Sequence, residues 1–420
     1  MTRKMKDSGV QWVGEIPENW EMRTIRAVLA ERKENNNPVK TDFILSLTND
    51  RGVIPYNEKG AVGNKSKEDL TKYKLAYPND IVLNSMNVVI GSVGLSKYFG
   101  AVSPVYYMLN KRDEDDCIEY FNLVFQTKEF QKNLTGFGKG IMEIRMRIQM
   151  SKLNSVLIPY PSHDEQVKIT RFLNGKMSQI DNIISNAKKL IDEYKVYKQS
   201  LISQSVIKGL DLNRVMVDSE VDYLGQIPSS WKVRKIKYAL LPLERPVLET
   251  DSVVTCFRDG EVTLRKNRRE EGFTFSDTEK GYQGVEAGDL VIHGMDAFAG
   301  AIGISDSRGK CSPVVHVCDS KEDKRYYMYL LRALAFNDVF MALSEGVRIR
   351  SSDFRNWNKL SRISVVVPPL NEQQEIAKFL EVKCKEVENL VSQKERLIKE
   401  LQTYKKIIIY EYVTGKKSVL

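Results

Sequence analysis

The chain has 420 residues, 42% hydrophobic and 28% charged, with a net charge of +9; it is long enough for about two to three domains, and basic enough to permit a polyanionic partner without requiring one. Its five cysteines (Cys117, Cys256, Cys311, Cys318 and Cys384) form no CxxC pair, which argues against a disulfide framework or zinc ribbon and reads as free thiols in a reducing cytosol, and the three histidines (His163, His293 and His316) lie too far apart for a metal motif. The opening MTRKMKDSGVQW has no apolar run and no long apolar window follows, so neither a signal peptide nor a membrane span is expected.

The first recognisable stretch is DSGVQWVGEIPENWEMRTIRAVL (7–29), which returns as DSEVDYLGQIPSSWKVRKIKYAL at 218–240. Asp7, Ser8, Val10, Gly14, Ile16, Pro17, Trp20, Arg23, Ile25 and Leu29 all recur 211 residues later without a gap. In the shared GxIPxxW, Gly and Pro mark a turn and Trp supplies a core anchor. A variable zone follows, covering 20–155 in the first copy and 231–362 in the second. Its short β-branched runs read as strands: FILSLT, DIVLNSM and SVLIPY, then SVVTCF, DLVIHGM and ISVVVPP. CIEYFNLVFQTKEFQKNL and RYYMYLLRALAFNDVFMAL read as helices. NDIVLNSM (79–86) answers to GDLVIHGM (288–295) at an offset of 209, and PSHDEQVKITRFL (161–173) to PPLNEQQEIAKFL (368–380) at 207. The drift places small insertions in surface loops.

Each copy closes on a long proline-free helix, Asp164 to Ser205 and Asn371 to Tyr412, with Asp164 and Asn371 as expected N-caps and Gly209 and Gly415 just beyond the ends. Positions spaced by three and four form a seam: Leu173, Met177, Ile180, Ile184, Ala187, Ile191, Tyr194, Lys198 and Leu201. In the second copy these become Leu380, Cys384, Val387, Val391, Lys394, Ile398, Leu401, Lys405 and Ile408. Such a seam asks for a partner helix. The simplest partner is the other copy, packed antiparallel, because that choice needs no long return connection. It predicts a pseudo-two-fold repeat with the globular zones at opposite ends. A solvent-exposed spacer or an intermolecular coiled coil is the alternative. The expected fold is α+β, with two mixed α/β globular domains at 1–160 and 211–367 alternating with antiparallel coiled-coil helices at 161–210 and 368–420.

Catalytic signatures are absent from the sequence. The one PP, in VPPL (367–370), follows Val and lacks the aromatic that a [DNS]PP[YFW] amino-methyltransferase motif uses to hold a flipped base. TGFGKG (135–140) is a lone glycine pattern that reads as a turn, TGKKS (414–418) lacks the earlier glycine of a phosphate loop, and no GxSxG elbow occurs. The chain reads as a binder without catalysis or a metal site of its own.

The pattern resembles the specificity subunit of type I restriction-modification systems. The resemblance is carried by Gly14, Ile16, Pro17 and Trp20; by Gly225, Ile227, Pro228 and Trp231; by Pro161, Glu165, Gln166, Phe172 and Leu173; by Pro368, Pro369, Glu372, Gln373, Phe379 and Leu380; and by the ending YVTGK (412–416). It departs at Ser162, where the second copy has Pro369, and at VIKGLD (206–211), where the second copy has VTGKK. The resemblance implies that each globular domain is a target-recognition domain reading one half of a bipartite, asymmetric site on double-stranded DNA. It implies helices that set the spacing and dock two methylation subunits, and restriction subunits that join them. S-adenosylmethionine, ATP and Mg would sit on those partners and none on this chain, whose setting would be cytoplasmic, in phage defence, with no membrane.

Base reading needs Arg, Lys, Asn, Gln or His at base edges. The candidates are Lys65, Lys67, Asn84, Lys139, Arg145 and Arg147 in the first copy. In the second they are Arg265, Lys266, Arg268, Arg269, His293, Arg348 and Arg350, with LRKNRRE the densest basic cluster. Asn84 and His293 occupy matching positions, as do Met86 and Met295. Two other readings compete: a coiled-coil scaffold spacing two protein-binding domains, and a self-sufficient methyltransferase or nuclease. Salt-dependent DNA binding separates the first from a DNA reader, and turnover without partners would reveal the second.

Overall fold

The computed structural model describes residues 3–49, 51–60, 69–137, 147–211, 213–268, 280–344 and 354–419. The chain forms two compact units, Met1–Ala187 with Arg396–Leu420, and Lys188–Glu395. Each unit thus takes part of each long helix.

Among the described residues, the sheet and ribbons of the first unit's variable zone use eight strands: β1 (Leu29–Arg32), β2 (Leu45–Thr48), β3 (Gly52–Pro55), β4 (Lys74–Ala76), β5 (Ile81–Asn84), β6 (Val93–Leu95), β7 (Gly100–Val102) and β8 (Tyr106–Lys111). A four-stranded antiparallel sheet has the order β1-β8-β5-β6, and β2–β3 and β4–β7 pair as ribbons. Helices α1 (Ile118–Gln126) and α2 (Lys128–Thr135) cover the sheet with Phe121, Phe125 and Phe130 fully buried. The break between them is local: Thr127 is extended, and its hydroxyl accepts the Phe130 N–H. Strand Leu157–Tyr160 pairs with Glu21–Thr24, and Pro161 leads into the long helix α3 (His163–Lys208).

The second unit repeats this plan with β9 (Leu241–Pro242), β10 (Val254–Cys256), β11 (Val262–Leu264), β12 (Gln283–Val285), β13 (Leu290–His293), β14 (Ile302–Ile304), β15 (Gly309–Cys311) and β16 (Val315–Asp319). The sheet order β9-β16-β13-β14 and the ribbons β10–β11 and β12–β15 reproduce those of the first unit. Helix α4 (Lys324–Phe336) buries Tyr326, Tyr327, Leu330 and Leu331. The expected helix ends there because Asp338 turns left-handed at φ +57° before a further short turn. Strand Ser364–Val367 pairs with Lys232–Lys235 and leads into α5 (Leu370–Val413). All six β-branched runs singled out in the sequence contain strands.

Both long helices begin one residue earlier than the Asp164 and Asn371 caps expected from sequence. The carbonyls of Ser162 and Pro369 already accept the first helical N–H groups, from Gln166 at 2.9 Å and Gln373 at 3.1 Å. Asp164 therefore lies in the first turn, where a carboxylate suits the positive end of the helix dipole. At 46 and 44 residues, the helices are each about 65–70 Å long.

Inside each unit the helices run antiparallel. In the first, the Phe172 and Tyr412 rings lie 4.7 Å apart and Lys405 reaches Asp181 at 2.6 Å, so one number rises as the other falls. In the second, Lys198 reaches Glu388. Of the seam positions, Leu173, Ile180, Ile184, Ala187, Ile191, Leu380, Cys384, Val387 and Ile408 are buried. Met177, Tyr194, Lys198, Leu201, Val391, Lys394, Ile398, Leu401 and Lys405 are half-buried.

The repeated GxIPxxW is explained by what its Trp touches. Trp20 is fully buried, and its indole N–H donates at 2.8 Å to Glu165, which Arg3 also grips. Trp231 donates at 3.0 Å to Glu372, gripped by Arg214. Beside each glutamate a buried glutamine ties the helix start to the neighbouring loop. Gln166 donates to the Pro161 carbonyl and to Asp116 and accepts from Cys117 N; Gln373 donates to the Pro368 carbonyl and to Glu322 and accepts from Asp323 N. The same site receives the end of the other long helix. A Cβ at Gly415 would lie 2.3 Å from Pro17, and one at Gly209 would lie 3.2 Å from Trp231, with both glycines at positive φ. Tyr120 donates to the Val413 carbonyl and Tyr326 to the Val206 carbonyl, each at 2.9 Å.

A charge-assisted hydrogen bond of this kind is worth about 1.5–3 kcal/mol. Glu165→Ala should therefore speed amide exchange in 5–30 and leave protection in 216–240 at the wild-type level. Glu372→Ala should do the reverse, with hydrogen-exchange mass spectrometry reading both.

Candidate nucleic-acid interface

The variable residues gather where the central strand of each sheet ends. In the first unit β5 ends at Asn84, paired in register with Tyr106. Asn84 Oδ1 accepts the Met86 N–H at 3.0 Å, closing a turn that runs on to Gly91 at φ +93°. Its side-chain nitrogen makes no hydrogen bond among the described residues. The chain re-enters at Arg147, and Ile148 N–H donates to the Ser85 carbonyl at 2.9 Å. Arg147 is exposed and adds to the positive field at Lys74, whose ammonium donates to the Tyr106 carbonyl at 2.8 Å. Burial, reinforced by Arg147 and Lys33 against Glu31, pushes the Lys74 pKa down.

The second unit builds the same end with different side chains. β13 ends at His293, paired with Val315. His293 Nδ1 accepts the Asp296 N–H at 3.0 Å, as Asn84 does for its own turn, and Gly300 closes the turn at φ +88°. Where Lys74 reaches the Tyr106 carbonyl, Gln283 donates to the Val315 carbonyl at 3.1 Å. Gly294 lies so close to the returning chain that a Cβ would meet Arg355 backbone at 2.9 Å. Below it, His316 Nε2–H donates to the Phe354 carbonyl at 2.7 Å and stands edge-on to Trp357.

Beside this end, hairpin β10–β11 opens a groove of about 1070 Å³ whose lining includes Phe257, Arg258, Arg265, Arg268, His293 and Asp296. Arg268 lies over the Phe257 ring at 4.2 Å and is held by Asp259 at 2.9 Å and Glu261 at 3.1 Å. Arg265 and Lys266 lie on the short turn after β11, with Arg265 reaching Thr255 and Lys266 exposed. The structure thus brings His293, Arg265 and Arg268 to one groove, and places Asn84 and Arg147 at the matching strand end of the first unit. Lys65, Lys67, Lys139, Arg145, Arg269, Arg348 and Arg350 lie outside the described residues.

Sequence reasoning passed over Lys74, Gln283 and Arg258. The first two were findable, because they match at the same offset of 209 that singled out Asn84 and His293. Arg258 needed the Asp259–Gly260 turn to be recognised as a hairpin that folds it back toward Arg268. Among the described residues, no group of three or more His, Cys, Asp or Glu could hold a metal ion, and no helix is long and apolar enough to cross a membrane.

A family profile described as the type I restriction modification DNA specificity domain matches residues 17–195. The type I restriction enzyme MjaVIII specificity subunit of Methanocaldococcus jannaschii is 24% identical, over 96% of this chain and 93% of its own length. Over nearly its whole length the chain is thus similar to specificity subunits of type I restriction-modification systems. The fold agrees with solved structures. A chain from work on complex assembly and conformational transition of the type I R-M system superposes with a TM-score of 0.70 at 11% identity, over 96% of this chain and 99% of that one. The HsdS subunit of Thermoanaerobacter tengcongensis superposes with a TM-score of 0.57 at 12% identity, over 96% and 98%.

Burial lowers the pKa of His293 and of His316 below the ordinary 6.5, leaving both neutral at pH 7 and His293 able to accept the Asp296 N–H. The unfolded chain binds these protons more readily, so their contribution is complete above pH 6.5 and lost as pH falls through the lowered folded values. Thermal unfolding between pH 8 and pH 5 should show stability dropping on the acid side. His293→Asn, which keeps an acceptor like that of Asn84, should reduce the drop.

Proposed function

We propose that the globular domains at 1–160 and 211–367 each read one half of a bipartite, asymmetric DNA site. The helices at 161–210 and 368–420 set the interval and dock two methylation subunits, to which restriction subunits attach. S-adenosylmethionine, ATP and Mg belong to those partners, and the assembly works in the cytoplasm. One observation carries the reading: the same strand end occurs in both units with the same backbone bonds but different side chains. Asn84 and Lys74 stand where His293 and Gln283 stand. A shared frame with exchanged polar groups suits two readers of different sequences, because base edges differ in their donor and acceptor pattern while phosphates do not.

The chain should be co-expressed with its methylation subunit in a host lacking adenine methylation, and the genome sequenced by a modification-sensitive long-read method. A new bipartite motif that depends on this chain is expected, and exchange of residues 20–155 should change one half only. Affinity of the complex for that site should fall linearly with log salt. A soluble complex that yields no motif, with binding indifferent to salt, would favour a protein-spacing scaffold.

A further inference from the structure

Arg258 sits on the turn of hairpin β10–β11, with its side chain 66% exposed toward the groove. Three glycines press the backbone of this turn onto the sheet beneath. A Cβ at Gly260 would lie 1.8 Å from the Arg332 guanidinium, one at Gly300 would lie 2.9 Å from the Arg258 carbonyl, and one at Gly303 would lie 2.0 Å from the Gly260 carbonyl. The turn therefore has little room to shift.

The head of the side chain is held as well. Arg258 Nη2 donates to Asp296 at 2.9 Å, and the guanidinium stands 5.9 Å from the Phe298 ring centre. Asp296 is itself fixed, its N–H shared between His293 Nδ1 at 3.0 Å and the His293 carbonyl at 3.1 Å. Nε and Nη1 of Arg258 make no hydrogen bond among the described residues. Arg268 differs, because Asp259 and Glu261 take both of its terminal nitrogens.

Nη2 keeps a second N–H, which with the neighbouring free Nε or Nη1 still makes a planar two-donor fork braced by a carboxylate, and such a fork on a fixed backbone matches one base edge best. Guanine presents two adjacent acceptors, O6 and N7, in the major groove, and a guanidinium pairs with both. We propose that Arg258 reads a guanine in the half-site recognised by the second unit, and that Asp296 is its positioning residue. This rests on the DNA-reading assignment above and adds to it which base is read and by which side chain.

The test uses the full chain in complex with its methylation subunits. Arg258→Ala and Arg258→Lys are compared with wild type by methylome mapping and by competition among duplexes varied at each motif position. Both variants should relax one guanine position in one half, with discrimination there falling roughly 10- to 100-fold and the other half unchanged. Lysine should not rescue, because it keeps the charge but not the fork. Asp296→Asn should relax the same position, and the double variant should lose no more than Arg258→Ala alone. A uniform loss across all sequences, with a shallower salt dependence, would mark a phosphate contact and overturn the proposal. So would an unchanged motif. Exchange of residues 211–367 serves as the control: if that leaves both halves unaltered, the reading of the domains fails, whereas a null result at Arg258 alone sinks only the guanine contact.

Discussion

A buried indole N–H held by a glutamate at the first turn of a long helix anchors each unit. Trp20 with Glu165, and Trp231 with Glu372, join three things at one point: the chain's approach to the variable domain, the start of the helix that leaves it, and the end of the other long helix. A carboxylate at that depth is costly without partners. Here it has the indole on one side, Arg3 or Arg214 on another, and the helix dipole behind it. The adjacent glutamines carry the tie into the loop before α1 and the loop before α4. Those few residues must be conserved between the copies for geometric reasons, and they are the ones the repeat preserves.

The sheet held by this anchor has a fixed frame and interchangeable ends. The Asn84 and His293 side chains look like free readers when only their positions are known. In the structure each spends one acceptor on its own turn, and only the remainder of the group is available outward. In the proposed reading, recognition would therefore draw on neighbours as well: Lys74 and Arg147 in the first unit, and the hairpin arginines in the second. Paired acids restrain those arginines, so their donors point in defined directions instead of forming a diffuse positive cloud, which favours sequence reading over simple attraction to phosphate.

Much of this was legible in one dimension. Ungapped recurrence identified the two copies, β-branched runs located the sheet strands, and 3–4 spacing marked a helix face whose positions are now seen buried or half-buried, from Leu173 to Leu201 and from Leu380 to Ile408. The helices start ahead of Asp164 and Asn371 because the Ser162 and Pro369 carbonyls already accept helical N–H groups, which puts Asp164 and Asn371 inside the first turn. Arg258 was missed because its significance depends on Asp296, thirty-eight residues away.

By itself, then, the sequence determined the repeat, the alternation of β-rich domains with long helices, and the family resemblance, because these rest on local periodicity and on residues copied at constant offset. The sequence favoured an antiparallel pairing of the long helices, and tertiary structure decided which residues meet at their ends. Residues 396–420 complete the unit that begins the chain, with Gly415 against Pro17 and Tyr410 donating to the Trp12 carbonyl across 398 positions. It also decided which cations are braced and which reach outward. Such pairings depend on packing between segments far apart in the chain, and no local pattern of residues encodes that distance.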